Sequence, residues 1–234
     1  MTTLVLTAHG SVDPRSAAVT QAVAGRIRRL RPWLDVRPAF LEQTSPSLGA
    51  VLSETTDAVV TPFLLASAYH ARIDIPAIVE ESGARVQQAQ VLGEDPALLA
   101  VLRLRLAEAG VSPDEDGLGV VVVAVGSSKP DANLRTATVA DTLAIGTRWA
   151  GTQTAFATGP YANLPDAVAR LRDNGASRVV IAPWFLAHGR ITDRVTAFAT
   201  QHDIAMSEPL GSHNLVAATV LDRFDAATAA LAAA

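Results

Sequence analysis

Three side chains able to hold a divalent metal or take up a proton stand directly after the first three apolar runs of the sequence. His9 and Gly10 follow Leu4-Val5-Leu6-Thr7-Ala8, Glu42 closes Phe40-Leu41-Glu42, and His70 stands near the start of Tyr69-His70-Ala71-Arg72-Ile73-Asp74-Ile75-Pro76 after the third run. Ligands of open parallel sheets bind just outside the carboxyl ends of the strands. With strand order 2-1-3, neighbouring ends lie ~5 Å apart, and His9, Glu42 and His70 converge on one cleft. Two imidazoles and a carboxylate suit a borderline divalent first-row metal, and the same groups accept protons near neutral pH. Each residue also has a plainer reading. A histidine after a strand serves as a hydrogen-bonded turn residue, and most glutamates are simply solvated. Their shared place at successive strand ends sets these three apart. His188 also ends an apolar run, whereas His202 and His213 have no such placement and read as surface residues.

The elements that must position them follow from periodicity. Strand-length apolar runs lie at 3–8, 36–41, 58–66, 119–125, 153–157 and 178–186, with weaker ones at 85–92 and 203–207. Helical spacing separates them. Several helical segments open on a polar residue and a proline, at Asp13-Pro14, Ser45-Pro46, Asp95-Pro96 and Lys129-Pro130, the pattern of a helix cap followed by Pro at the first helical position. Strands alternating with helices need crossovers, so the sheet is parallel and covered on both faces.

The chain also repeats itself. An offset of 116 lays His9 on Val125, Gly10-Ser11 on Gly126-Ser127, Pro14 on Pro130, Trp33 on Trp149 and Phe40 on Phe156. Pro62-Phe63-Leu64-Leu65 then faces Pro183-Trp184-Phe185-Leu186. The polar stretch 110–117 separates two similar four-strand α/β halves, 1–111 and 118–234. At the same offset Thr158 replaces Glu42, so the second half lacks the ligand set.

Composition narrows the chemistry further. With no cysteine among 234 residues there is no disulfide, thiolate nucleophile or Cys-based metal site, so any metal must sit on His, Asp or Glu. A net charge of −4 without a basic stripe argues against nucleic acid. The first residues, MTTLVLTAHGS, lack a basic, apolar leader, and no window approaches a membrane span, which points to a soluble cytoplasmic protein. Ala8 stands where a phosphohistidine phosphatase needs arginine beside the His-Gly pair. No Gly-x-Ser-x-Gly, Walker or Gly-x-Gly-x-x-Gly pattern follows a strand, so the usual carriers of hydrolase, NTPase and dinucleotide chemistry are missing.

Ala8-His9-Gly10-Ser11, Phe40-Leu41-Glu42 with Pro46 and Leu48, and Pro62-Phe63-Leu64-Leu65 leading to His70-Ala71-Arg72-Ile73-Asp74-Ile75-Pro76 together resemble the sirohydrochlorin chelatases of the CbiX/SirB family. The likeness spans the whole chain, and the His-x-x-x-Asp-Ile-Pro block is its most specific piece. It implies two tandem flavodoxin-like, chelatase-like halves, the first carrying the metal site and the second forming the opposite wall of a tetrapyrrole cleft. The implied reaction is ATP-independent insertion of Fe²⁺ or Co²⁺ into sirohydrochlorin, toward sirohaem or cobalamin, with no cofactor beyond the metal substrate. His9 and His70 match the family's metal-handling histidines and Glu42 its active-site carboxylate. A His before Gly189 is not a shared catalytic position. The substrate's eight carboxylates call for local attraction, for which Ser11 in its turn and Arg15, Arg72 and Arg190 are the candidates. A chain that already holds both halves is compatible with a monomer. A non-catalytic tetrapyrrole or metal carrier is the other class of protein that this cleft would suit.

Overall fold

The computed structural model describes residues 2–67, 69–159 and 162–233. The first half runs β1 (Thr3–Ala8), α1 (Pro14–Leu30), β2 (Val36–Phe40), α2 (Leu48–Ser53), β3 (Asp57–Pro62), a π-helical turn (His70–Asp74), α3 (Ile75–Ser82), β4 (Arg85–Gln88) and α4 (Pro96–Glu108). The second runs β5 (Leu118–Ala124), α5 (Pro130–Ala144), β6 (Gly151–Phe156), α6 (Leu164–Asp173), β7 (Arg178–Pro183), α7 (Arg190–Gln201), β8 (Ala205–Met206) and α8 (Asn214–Ala233). Two parallel sheets result, ordered β2-β1-β3-β4 and β6-β5-β7-β8. The expected 2-1-3 order holds in each, and β1 and β5 are buried along their whole length, as central strands covered on both faces must be.

Three of the apolar runs extend past their strands by three residues or more. Phe63 donates its N–H to the Thr7 carbonyl at 2.7 Å and Trp184 does the same to Val123 at 2.7 Å, after which the chain leaves each sheet. Phe63 and Trp184 are buried as turn residues, so apolar character here marks burial rather than strand. The third, at 85–92, leaves β4 only four residues long. Ser45-Pro46 does not open a helix. Ser47 caps α2 by accepting the Ala50 N–H, while the Pro46 carbonyl is taken by the Phe40 N–H outside the helix. Asp13 and Pro14 do open α1, the Asp13 carboxylate accepting from Arg15 N–H.

The two compact units differ from the halves 1–111 and 118–234. Unit 1 is Met1–Asp95 with Ser212–Ala234, and unit 2 is Pro96–Gly211. The physical reason is an exchange of last helices. α8 packs in unit 1 on α1, β3 and β4, and α4 packs in unit 2 on β7 and α5. Arg31 at the end of α1 grips Asp225 of α8 through both terminal nitrogens, and this pairing raises the guanidinium's pKa. Arg223 of α8 donates to the carbonyls of Val91 and Leu92 and to Asp95. The stretch read as a linker is tied into unit 2, through Arg178 to Glu115 and Arg148 to Asp116.

One face of the unit 1 sheet buries Val5, Ala39, Ala58 and Val60 under α2 and α3, with Leu48, Val51, Leu52 and Ile75. Strand alternation turns Leu4, Leu6 and Val59 to the other face, where α1 and α8 lie. Val216, Val220, Leu221 and Phe224 of α8 are buried. At about 1.5–3 kcal/mol each they contribute roughly 6–12 kcal/mol, comparable to the whole stability of an ordinary domain. Residues 1–95 alone are therefore expected to show no cooperative thermal transition by circular dichroism, whereas 1–95 joined by a flexible linker to 212–234 should melt cooperatively. Equal behaviour of the two fragments would mean that α8 is dispensable to unit 1.

Candidate metal centre

The end of β1 is held against the end of β2 by backbone alone. Leu41 N–H donates to the Ala8 carbonyl at 3.1 Å and Glu42 N–H to the His9 carbonyl at 2.9 Å, carrying the pairing beyond the sheet. The approach is so close that a Cβ on Gly10, whose φ is +91°, would lie 1.8 Å from the Glu42 carbonyl oxygen. Only glycine fits there. Thr44 locks the next step, its hydroxyl accepting from Ser11 N–H and donating to the Ser11 carbonyl. The Ser11 hydroxyl in turn accepts the Asp13 N–H, so the serine proposed for substrate binding already serves its own turn.

His70 comes from a wider device. In the π-helical turn, Ile75 N–H reaches back five residues to the His70 carbonyl. The next bond of that pattern would join the N–H of residue 76 to the Ala71 carbonyl, and residue 76 is proline. That carbonyl accepts instead from Gln88 Nε2 at 2.7 Å, a side chain at the end of β4. Ala71 and Ile75 are buried beneath the turn. Burial of Ile75, a side chain whose truncation costs about 2–5 kcal/mol, outweighs a hydrogen bond worth about 1 kcal/mol, so the apolar anchor seats the turn and Gln88 completes it.

These two devices bring His9, Glu42 and His70 together, with one ligand atom from each lying within 4.8 Å of the others. Among the described residues this is the one such group of three or more. The imidazoles meet edge to face with centroids 4.3 Å apart. His9 Nδ1 lies 2.9 Å from the Gly10 carbonyl and His70 Nδ1 lies 2.6 Å from Asp74 Oδ2, so each ring has Nδ1 engaged with an oxygen. His9 and Glu42 are exposed and His70 is half-buried, which suits a metal that must arrive and leave.

Of the other candidates, Arg72 is exposed and donates from Nε to Ser67, Arg15 is held by Asp13 in front of α1, and Arg190 is exposed as the first residue of α7 in unit 2. His188 lies 2.7 Å through Nε2 from Glu208. His202 lies at the exposed end of α7 against Phe198, and His213 accepts the Leu215 N–H through Nδ1 at the start of α8, a capping role that its spacing did not announce. Asp74 and Gln88 were not singled out as site residues. Asp74 had a signal, four residues after His70 inside the quoted block, whereas Gln88 had none, because its partner is distant in sequence. In unit 2 the same backbone knot recurs without chemistry: Thr158 N–H donates to the Val125 carbonyl beside Gly126, whose φ is +94°. A cavity of about 630 Å³ in unit 2, lined by residues that include Arg178, Thr196 and Ala205, has no histidine in its lining.

Gly10→Ala tests the knot. It is expected to destabilise the protein by about 2–4 kcal/mol in denaturant melts and to remove Co²⁺ binding. Gly83→Ala, at φ +62° with open space around it, should cost only about 1 kcal/mol and leave binding intact. Gln88→Leu, which orphans the Ala71 carbonyl, should cost about 1–3 kcal/mol in the same melts.

The CbiX family model matches residues 3–109 and again 119–227. A sirohydrochlorin cobaltochelatase of Priestia megaterium is 28% identical over 220 residues, covering 87% of this chain and 71% of the relative. A sirohydrochlorin ferrochelatase of the same organism is 27% identical over 208 residues, covering 83% and 77%. The structure of SirB from Bacillus subtilis with Fe³⁺ superposes with a TM-score of 0.80 at 22% identity, covering 96% of this chain and 95% of that one, a likeness of fold.

Proposed function

The chain belongs to the CbiX family, and from that premise we propose that it is a sirohydrochlorin chelatase, inserting Fe²⁺ or Co²⁺ into sirohydrochlorin without nucleotide hydrolysis. The observation that carries the reading is the His9–Glu42–His70 cluster, two imidazoles and a carboxylate within reach of one ion and open to solvent. Three N/O ligands hold a divalent ion weakly enough to pass it on, unlike a closed four-ligand structural site.

Insertion exchanges one divalent cation for two pyrrolic protons, so the macrocycle's charge is unchanged and the protons need acceptors. The ion sits first on His9, His70 and Glu42. As the pyrrole nitrogens take it over, the ligand atoms it leaves become free bases beside the departing protons. Val12, Tyr69 and Ile73, within three residues of His9 or His70 in sequence, are large apolar side chains left exposed, and the Tyr69 ring lies 6.1 Å from that of His70. An apolar margin around a polar centre suits a flat macrocycle. Ser11 and Arg72, two residues after His9 and His70, are the groups we assign to the substrate's carboxylates. Turnover, rather than carriage, is favoured by the chelatase names of both curated relatives. A cytoplasmic monomer is our reading of the sequence; no described helix is long and apolar enough to cross a membrane.

An absorbance time course of sirohydrochlorin with Co²⁺ or Fe²⁺ and substoichiometric protein tests the reaction. Insertion in excess of protein is expected. His9→Ala should slow it by about 10²-fold or more, as loss of a proton-transfer or metal-holding group does. His188→Ala, whose Nε2 faces Glu208, should leave Co²⁺ affinity unchanged and affect the rate modestly. Equal losses in the two variants would contradict a single active half.

A further inference from the structure

Asp74 occupies the residue before α3, where a short carboxylate ordinarily accepts backbone N–H groups of the first turn. It does not do so. Its backbone is helical and its side chain makes no capping bond. The carboxylate turns back instead to His70 Nδ1, at 2.6 Å. In an α-helix, residues four apart are neighbours on one face. Here the segment between them is the wide turn, whose geometry is fixed by Pro76, Gln88 and buried Ile75. The carboxylate is half-buried, with 30% of its side chain exposed, so water competes only partly for it.

We propose that Asp74 is a positioning residue for metal transfer, which fixes the His70 tautomer and delivers Nε2 as its ligand atom. This rests on the reading of His9, Glu42 and His70 as the metal site. An ionised carboxylate can only accept a hydrogen bond, so Nδ1 of a neutral His70 must carry the proton and the lone pair must lie on Nε2. A carboxylate behind a metal-binding imidazole also holds the ring's orientation and strengthens its donation to the metal. The two histidines are therefore unequal. His9 leans on a neutral carbonyl, that of Gly10, and His70 on a charged group. His70 is the firmer anchor for the incoming ion and His9 the ligand that lets go sooner.

The test is Co²⁺ titration, read by ligand-field absorbance, of the wild type, Asp74→Asn, Asp74→Glu, His70→Ala and the Asp74→Asn/His70→Ala double variant. Asp74→Asn should weaken binding about 10- to 100-fold, the usual cost of losing an outer partner of a metal-bound histidine. Asp74→Glu, which restores a carboxylate, should recover most of that loss. In the His70→Ala background Asp74→Asn should have no further effect, a result that a merely structural role would not give. Long-range ¹H–¹⁵N spectra of the metal-free wild type should show His70 protonated on Nδ1, and this stands even where a variant folds poorly. Protonation on Nε2, or wild-type Co²⁺ affinity in Asp74→Asn while His70→Ala loses it, overturns the proposal. Wild-type affinity in His70→Ala instead overturns the metal-site reading beneath it.

Discussion

The candidate metal centre stands on two backbone hydrogen bonds that prolong the β1–β2 pairing one step past the sheet, from Leu41 to Ala8 and from Glu42 to His9. They bring two chains so close at Gly10 that no side chain fits between them. The same pairing that places Glu42 beside His9 thus fixes the directions in which both side chains leave the backbone. The third candidate ligand, His70, is independent of this contact. It depends on a wide turn seated by Ile75 and completed by Gln88, whose strand lies at the far side of β3. The cluster therefore joins two local solutions through one sheet, with β1 paired to β2 on one side and β3 on the other.

Unit 2 shows that this scaffold and its chemistry are separable. The Gly126–Thr158 contact, the Trp184 turn and the strand order all reproduce unit 1, yet Val125 and Thr158 replace the imidazole and the carboxylate. The Thr158 hydroxyl there bonds the Val125 carbonyl at 2.7 Å, closing locally a position that in unit 1 faces outward as Glu42. A polar side chain that bonds its own neighbouring backbone is closed to a ligand, whereas one that faces solvent stays open to it.

Much of this was legible in the sequence because the informative contacts are local or periodic. Strand-end placement of His9, Glu42 and His70 follows from apolar runs and the strand order of a doubly wound sheet, and the repeat follows from matched residues at one offset. The runs overshot at Phe63 and Trp184 because buried turn residues are as apolar as strand residues. Asp74 was visible only as spacing, since whether a carboxylate caps a helix or backs a histidine depends on rotamer and turn width. Gln88 and the seat of α8 were not visible at all, for both join residues far apart in sequence, and hydrophobic periodicity tells a helix which face to bury without telling it against what.

The exchange of last helices also gives the molecule an order of assembly during synthesis. Unit 2, a single stretch from Pro96 to Gly211, has all its parts once the ribosome has passed residue 211. Unit 1 takes the earlier residues Met1–Asp95 but waits for Ser212–Ala234. Until α8 emerges, the face of β3 and β4 that it covers lies open. The unit that bears the candidate ligands starts before unit 2 and closes after it, so a chain cut short before α8 would carry His9, Glu42 and His70 on an incomplete sheet.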